Sequence, residues 1–267
     1  MLESLKIFPK EISLELDYLN KYEETHKDIL IVVKDQLQLF QNCINSIQSC
    51  TKNYTLYVWN NNSNIETKNF IDSIPNVITI HNDKNDGFIK PNNELVKLGN
   101  SPYVILLNSD TVVSDGWDKA LISWLQNNPN DAMTGYQGAI LNENMEGTEI
   151  NYGYDVDYIE GWCMCFHRDL YNKIGLFDQN NLKFAYGEDS DLCLRVKESG
   201  KNCYALHLGL VFHVGHATIQ SVDSTQIESN FSANHAYLRN RWNRFLSGRT
   251  FTSQNANSTL QNGGFQL

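Results

Sequence analysis

The sequence lacks several features that mark common protein classes. None of its six cysteines forms a Cys-x-x-Cys pair, which removes the usual zinc-ribbon and thioredoxin-type readings. No apolar run approaches the ~20 residues that a membrane-spanning helix needs, and the N-terminus MLESLKIFPKEISLELDYL has no charged-then-apolar leader pattern. Basic residues are outnumbered, 21 Lys and Arg against 31 Asp and Glu, for a net charge of −10. No broad basic surface for nucleic acid or anionic membrane can be assembled from that balance. The loop after the first apolar strand, within VVKDQLQLF, carries no glycine, so a glycine-rich triphosphate cradle of the nucleotidyltransferase kind is not expected there. No internal repeat is found. These absences lead us to expect a reduced, cytoplasmic protein without a transmembrane segment.

What is present is a regular alternation. Ile29–Val33, Tyr54–Trp59, Val77–Ile80 and Tyr103–Leu107 read as buried strands, separated by helical patterns over Leu37–Ile47, Glu66–Ser73 and Pro91–Leu98. Such alternation predicts βαβ units, a mostly parallel sheet and a nucleotide-binding layer. The second half is less regular. It shows a strand over Ile159–Phe166, short helices over Arg168–Ile174 and Asp189–Ser199, two short strands at Cys203–Leu206 and Leu210–His213, and one long helix over Gln226–Leu246. We divide the chain into an N-terminal extension (1–27) containing a helix from about Glu11 to Glu24, a main domain (28–220), a C-terminal helical segment (221–248) and a flexible tail (249–267) rich in Ser, Asn, Gln and Gly. Residues 142–160 are expected to form a loop.

Polar residues recur just past the predicted strands: Asp35 after Val33, the run Asn60-Asn61-Asn62-Ser63, the turn Asn85-Asp86-Gly87-Phe88, and Asn108-Ser109-Asp110. In a doubly wound sheet these positions converge on one crevice. Asp110 either caps its turn or holds a hard divalent cation and, through it, a diphosphate. Gly187-Glu188-Asp189-Ser190-Asp191 opens a helix, so its acids serve as cap and dipole partners, as a proton acceptor for a substrate hydroxyl, or as both. Phe212-His213-Val214-Gly215-His216 offers two histidines in four positions, with His213 at the strand end the better ligand candidate. Trp162, Phe184 and Tyr186 are either core aromatics or a platform for a sugar ring.

In unbroken order over roughly residues 28–220, these segments resemble family 2 glycosyltransferases of the GT-A fold, in particular bacterial and viral rhamnosyltransferase-like enzymes. The resemblance rests on ILIVVKDQLQLFQNCINSI, LYVWNNNSN, NDGFIKPNN, LLNSDTVVSDGW, GLFDQNNLKFAYGEDSDLCLRVKESGK and VFHVGHAT. It implies a metal-dependent inverting transfer of a sugar from a UDP-, dTDP- or GDP-linked donor to an acceptor hydroxyl on a glycan, a lipid-linked glycan or a protein. A nucleic-acid acceptor is less expected for so acidic a chain.

By position, the resemblance implies that Val33, Asp35, Asn60 and Asn62 border the nucleobase and ribose. Gly87 and Phe88 let the backbone approach the nucleotide, and Asn93 supports that loop. Asn108, Ser109 and Asp110 lie at the diphosphate, with Asp110 and His213 binding Mn2+ or Mg2+. Asp189 is the general base and Glu188 its partner, while Trp162, Tyr186, Asp191 and His216 contact sugar or acceptor. Two departures stand out: Asn60 replaces an aspartate expected to read the base, and Asn108 replaces the first carboxylate of an Asp-x-Asp metal motif. They leave open a binding module that has lost turnover.

Overall fold

The computed structural model describes residues 9–215 and 224–248. Helix α1 (Pro9–Leu19) precedes β1 (Lys27–Val33), α2 (Leu37–Cys50), β2 (Tyr54–Asn61), α3 (Ile65–Ser73), β3 (Val77–Asn82), α4 (Ile89–Leu95) and β4 (Tyr103–Leu107). Then come β5 (Thr111–Val113), α5 (Trp117–Asn127), β6 (Asp131–Gly135), β7 (Gly138–Leu141), β8 (Gly147–Asn151), β9 (Tyr158–Ile159) and β10 (Cys163–His167). The chain continues through α6 (Arg168–Ile174), α7 (Glu188–Glu198), β11 (Asn202–Ala205), β12 (Val211–His213), α8 (Ser224–Arg241) and α9 (Asn243–Ser247).

Seven strands form the central sheet in the order β11-β6-β10-β4-β1-β2-β3. The β1–β2, β1–β4, β2–β3 and β6–β11 pairs are parallel, and β10 runs antiparallel to both neighbours. The mixed α/β architecture with a mostly parallel sheet is the one the sequence pattern predicts. Alternate residues of β1 and β4 feed two separate apolar cores: Ile29, Ile31, Ile105 and Leu107 on one face, Leu30, Val104 and Leu106 on the other. A strand buried on both faces reads as an unbroken aliphatic run, which is why β1 and β4 are legible in the sequence. The chain steps from β1 outward to β3 and then returns to place β4 on the other side of β1. That reversal opens a crevice beyond the carboxyl ends of β1 and β4.

Several expectations need correction. Residues 142–160 are not a loop, because β7, β8 and β9 form a three-stranded antiparallel sheet there. The predicted strand Ile159–Phe166 is two strands, β9 and β10, broken by a turn at Gly161-Trp162. The N-terminal helix ends at Leu19 rather than near Glu24. The helix assigned to Gln226–Leu246 breaks at Trp242 into α8 and α9. Helix α4 begins two residues before Pro91, and a proline in a first turn is tolerated because its missing N–H has no intrahelical partner. His216 and the tail 249–267 lie outside the described residues. Among the described residues no helix is long and apolar enough to cross a membrane.

Candidate active site

The first strand ends are stitched to one another. Past β1, the Asp35 amide donates to Ser63 Oγ (2.9 Å), and Asp35 Oδ1 accepts from the Asn64 amide (2.6 Å). Lys34 Nζ bonds Asp35 Oδ2 (2.6 Å) and the Asn62 carbonyl (2.7 Å). Val33 is fully buried and its carbonyl accepts from Ser63 Oγ. Past β2, Asn60 spends its whole side chain internally: Oδ1 accepts from the Ser63 amide (2.9 Å) and Nδ2 meets His81 Nδ1 (3.0 Å). His81 Nε2 in turn pairs with Asp72 Oδ1 at 2.8 Å. Asn60 is thereby turned inward, whereas Asn62 in the same run is exposed.

Asn61, which the sequence reading named only as part of the Asn60–Ser63 run, is the residue that couples β2 to the Gly87 loop. It is buried, donates to Asn85 Oδ1 (2.6 Å) and the Gly87 carbonyl (2.8 Å), and accepts from the Asp86 amide (2.8 Å). Gly87 has φ 75, and a Cβ there would overlap the Phe184 carbonyl. The Phe88 and Ile89 amides donate to that same carbonyl at 2.6 and 3.2 Å. Asn93 clamps the Phe177 backbone, accepting from its amide (2.9 Å) and donating to its carbonyl (2.8 Å). Lys90 pairs with Asp86 at 2.5 Å.

The Asp110 side of the crevice is built by a short ribbon. β12 pairs antiparallel with β5 so that His213 lies opposite Thr111. This brings His213 Nε2 within 3.2 Å of Asp110 Oδ1 and 3.3 Å of Asn108 Nδ2, although the histidine is about a hundred residues further along the chain. Asp110 and Ser109 are buried, and His213 is about one-fifth exposed. The Trp162 indole lies flat on the His213 ring, with centroids 5.1 Å apart and planes at 19°. Its Nε1 donates to Glu160 Oε2 (2.9 Å), which also holds Gln137 Nε2 (2.8 Å). A carboxylate oxygen and an imidazole nitrogen side by side suit a divalent cation whose remaining positions are filled by phosphate oxygens and water.

The acidic side meets the same turn. Gly161, the neighbour of Trp162, donates its amide to Asp189 Oδ2 at 3.0 Å, and a Cβ on Gly161 would touch both Asp189 and Phe88. The Ser190 amide donates to Asp189 Oδ1 (2.8 Å). Burial pushes the Asp189 carboxyl up to about 6, with Glu160 adding to the rise and the two amides opposing it. Glu188 is buried, its Oε2 has no hydrogen-bond partner among the described residues, and burial followed by the neighbouring Asp189 holds it well above the usual carboxylate range.

Asp110 with His213 and Glu188 with Asp189 therefore flank one three-residue turn, Glu160-Gly161-Trp162. Tyr186, just ahead of Glu188 in the chain, has φ 76 and sets its ring edge-on to Phe231. Asp191 does not face this crevice. It is fully buried and bonded to Arg195 Nε (2.8 Å), Arg241 Nε (3.1 Å) and Trp242 Nε1 (3.1 Å), which makes it a fastener between α7 and the C-terminal helices.

A family model described as glycosyl transferase family 2 matches residues 28–186, more than half of the chain. The chain belongs to glycosyl transferase family 2. Solved structures agree on the GT-A fold of this family 2 glycosyltransferase. GalNAc-T7 with UDP, GalNAc and Mn2+ superposes with a TM-score of 0.61 at 14% identity, over 71% of this chain and 44% of that one. The mannosyltransferase PcManGT from Pyrobaculum calidifontis, in complex with GDP-Man and Mn2+, superposes with a TM-score of 0.57 at 10% identity, over 88% of this chain and 78% of that one. The chain thus spans less than half the length of GalNAc-T7. No curated protein matches the sequence.

Proposed function

We propose that the chain is an inverting, metal-dependent glycosyltransferase that moves a sugar from a nucleoside-diphosphate donor to an acceptor hydroxyl. One observation carries this reading: the Asp110–His213 pair and the Asp189 carboxylate meet at adjacent residues of a single turn, His213 through Trp162 and Asp189 through Gly161. A donor diphosphate held on the first side presents its anomeric carbon toward the second.

Asp110 and His213 are the residues that would hold Mn2+ or Mg2+. When bound, such an ion offsets the charge that builds on the departing diphosphate. The chain's own groups do the rest. Lys34 and Asp35 border the base, and the Gly87 backbone lets the nucleotide lie close. Asp189 Oδ accepts the proton of the acceptor hydroxyl as its oxygen attacks opposite the leaving group. Single displacement by one base inverts the anomeric configuration. A carboxyl raised toward 6 is ionised at neutral pH yet basic enough to take that proton. Glu188, whose proton affinity burial and the neighbouring Asp189 raise, stands beside it in the chain. The six unpaired thiols fit a cytoplasmic location for this reaction.

The test is release of nucleoside diphosphate from UDP-glucose, UDP-N-acetylgalactosamine, dTDP-rhamnose and GDP-mannose, each with and without Mn2+. We expect release from at least one donor, dependent on the metal and lost in Asp110→Ala. A chain that binds UDP or GDP with Mn2+ but releases nothing from any donor, with or without simple saccharide acceptors, is a binding module instead.

A further inference from the structure

We propose that Asn234 of α8 is a positioning residue for the acidic pair Glu188–Asp189, and that α8, which lies beyond the family match, is a working part of the crevice; the proposal rests on the sugar-transfer reading above. Asn234 is fully buried. Its Nδ2 donates to the carbonyls of Lys183 (2.9 Å), Ala185 (3.0 Å) and Tyr186 (2.9 Å), and its Oδ1 accepts from the Lys183 amide (2.9 Å). One side chain therefore grips four backbone groups of the segment that leads into α7.

That segment does not hold its shape by itself. Phe184 (φ 64), Tyr186 (φ 76) and Gly187 (φ 85) all lie in the left-handed region, which is unfavourable for the two aromatics. Its conformation matters on both sides. The Phe184 carbonyl receives the Phe88 and Ile89 amides of the nucleotide loop, and Gly187 is the residue from which α7 starts with Glu188 and Asp189.

The rest of the same helix face repeats the grip. Phe231 packs edge-on to Tyr186, Leu238 fills the space where a Cβ on Gly187 would sit, and Arg241 with Trp242 binds Asp191. Positions 231, 234, 238 and 241 fall on one stripe of a helix. From Phe231 to Arg241, each turn of α8 thus fixes one part of the run from Lys183 to Asp191.

The experiment compares Asn234→Ala and Asn234→Ser with wild type and with Ile47→Ala, a cavity variant in the apolar core that does not include Leu238 and Trp242. Donor hydrolysis is followed across pH, with binding of UDP and GDP plus Mn2+ measured separately. We expect kcat to fall at least tenfold in both Asn234 variants, and nucleotide binding to weaken by a smaller factor as the Phe184 carbonyl shifts under the Phe88 and Ile89 amides. The acidic limb of kcat/KM should also move to lower pH as Asp189 loses its enclosure. The charged and titratable groups facing Asp189 are Glu188, Glu160, Tyr158 and Cys193, and none of these is altered.

Wild-type kcat and pH profile in a folded Asn234 variant overturn the proposal. So does a loss that merely tracks thermal stability as in Ile47→Ala. Should neither variant fold, hydrogen exchange on the wild-type chain decides. The Phe88 and Ile89 amides must open together with α8, and independent opening refutes the coupling. Full turnover in Asp189→Asn would sink the assignment of the base while leaving the exchange result to stand on its own.

Discussion

Asp189 stands at the start of α7 with both carboxylate oxygens bonded to backbone amides, and yet burial outweighs those bonds and raises its proton affinity. Because the ionised form must accept the proton, kcat/KM is expected to rise as pH climbs through about 6 and to be lost below it. Glu160→Gln removes a charge that contributes to the rise, so the acidic limb should shift to lower pH, read by a pH–rate profile. Asp189→Asn should lower kcat by roughly a hundredfold to ten-thousandfold with donor binding retained. The acidic motif was legible in the sequence because its acids and its helix are contiguous. The separate tasks of Asn60 and Asn61 were not readable there. Adjacent residues on a strand point to opposite faces, and only the fold shows that Asn61 ties the Gly87 loop while Asn60 is turned onto His81.

Among the elements, those with long aliphatic runs or clear helical spacing came out of the sequence closely: β4 and α6 match their predicted bounds. Short strands came out unevenly: β12 was read one residue longer, at Leu210–His213, whereas Gly147–Asn151 carries little apolar signal and the three-residue β5 exists only through its pairing with β12. Pairing of that kind is a long-range property that no local pattern announces. The same blindness hid α8's role, since its gripping face mixes Phe231, Asn234, Leu238 and Arg241 rather than forming an apolar stripe. The contact between the Gly87 loop and the Phe184 carbonyl gives a direct prediction. Gly87→Ala forces a Cβ into that carbonyl at a left-handed φ. It should cost about 1–3 kcal/mol in urea unfolding and weaken nucleotide binding.

At the scale of the whole molecule, buried ion pairs fasten the layers on the side of the sheet away from the crevice. Arg168 Nη2 reaches Asp28 Oδ2 at 2.6 Å, and Asp28 also holds Ser101. Lys27 pairs with Asp118 at 2.7 Å where both are fully buried. Arg168→Met should therefore leave Asp28 charged and enclosed, costing about 3–5 kcal/mol in denaturant unfolding. The N-terminal helix is tied in likewise: Glu15 is buried and accepts from Tyr204 Oη (3.1 Å) and from the His207 and Leu208 amides. The Asp28–Arg168 and Lys27–Asp118 pairs lie at the amino end of β1, whereas Glu15 ties the chain just past the carboxyl end of β11. The most direct measurement is a crystal structure with UDP or GDP and Mn2+, the ion located by anomalous diffraction at the manganese edge. The account predicts manganese on Asp110 and His213, with the diphosphate between that ion and the Asp189 carboxylate. Manganese and nucleotide bound anywhere outside the crevice around Gly161-Trp162 would contradict it.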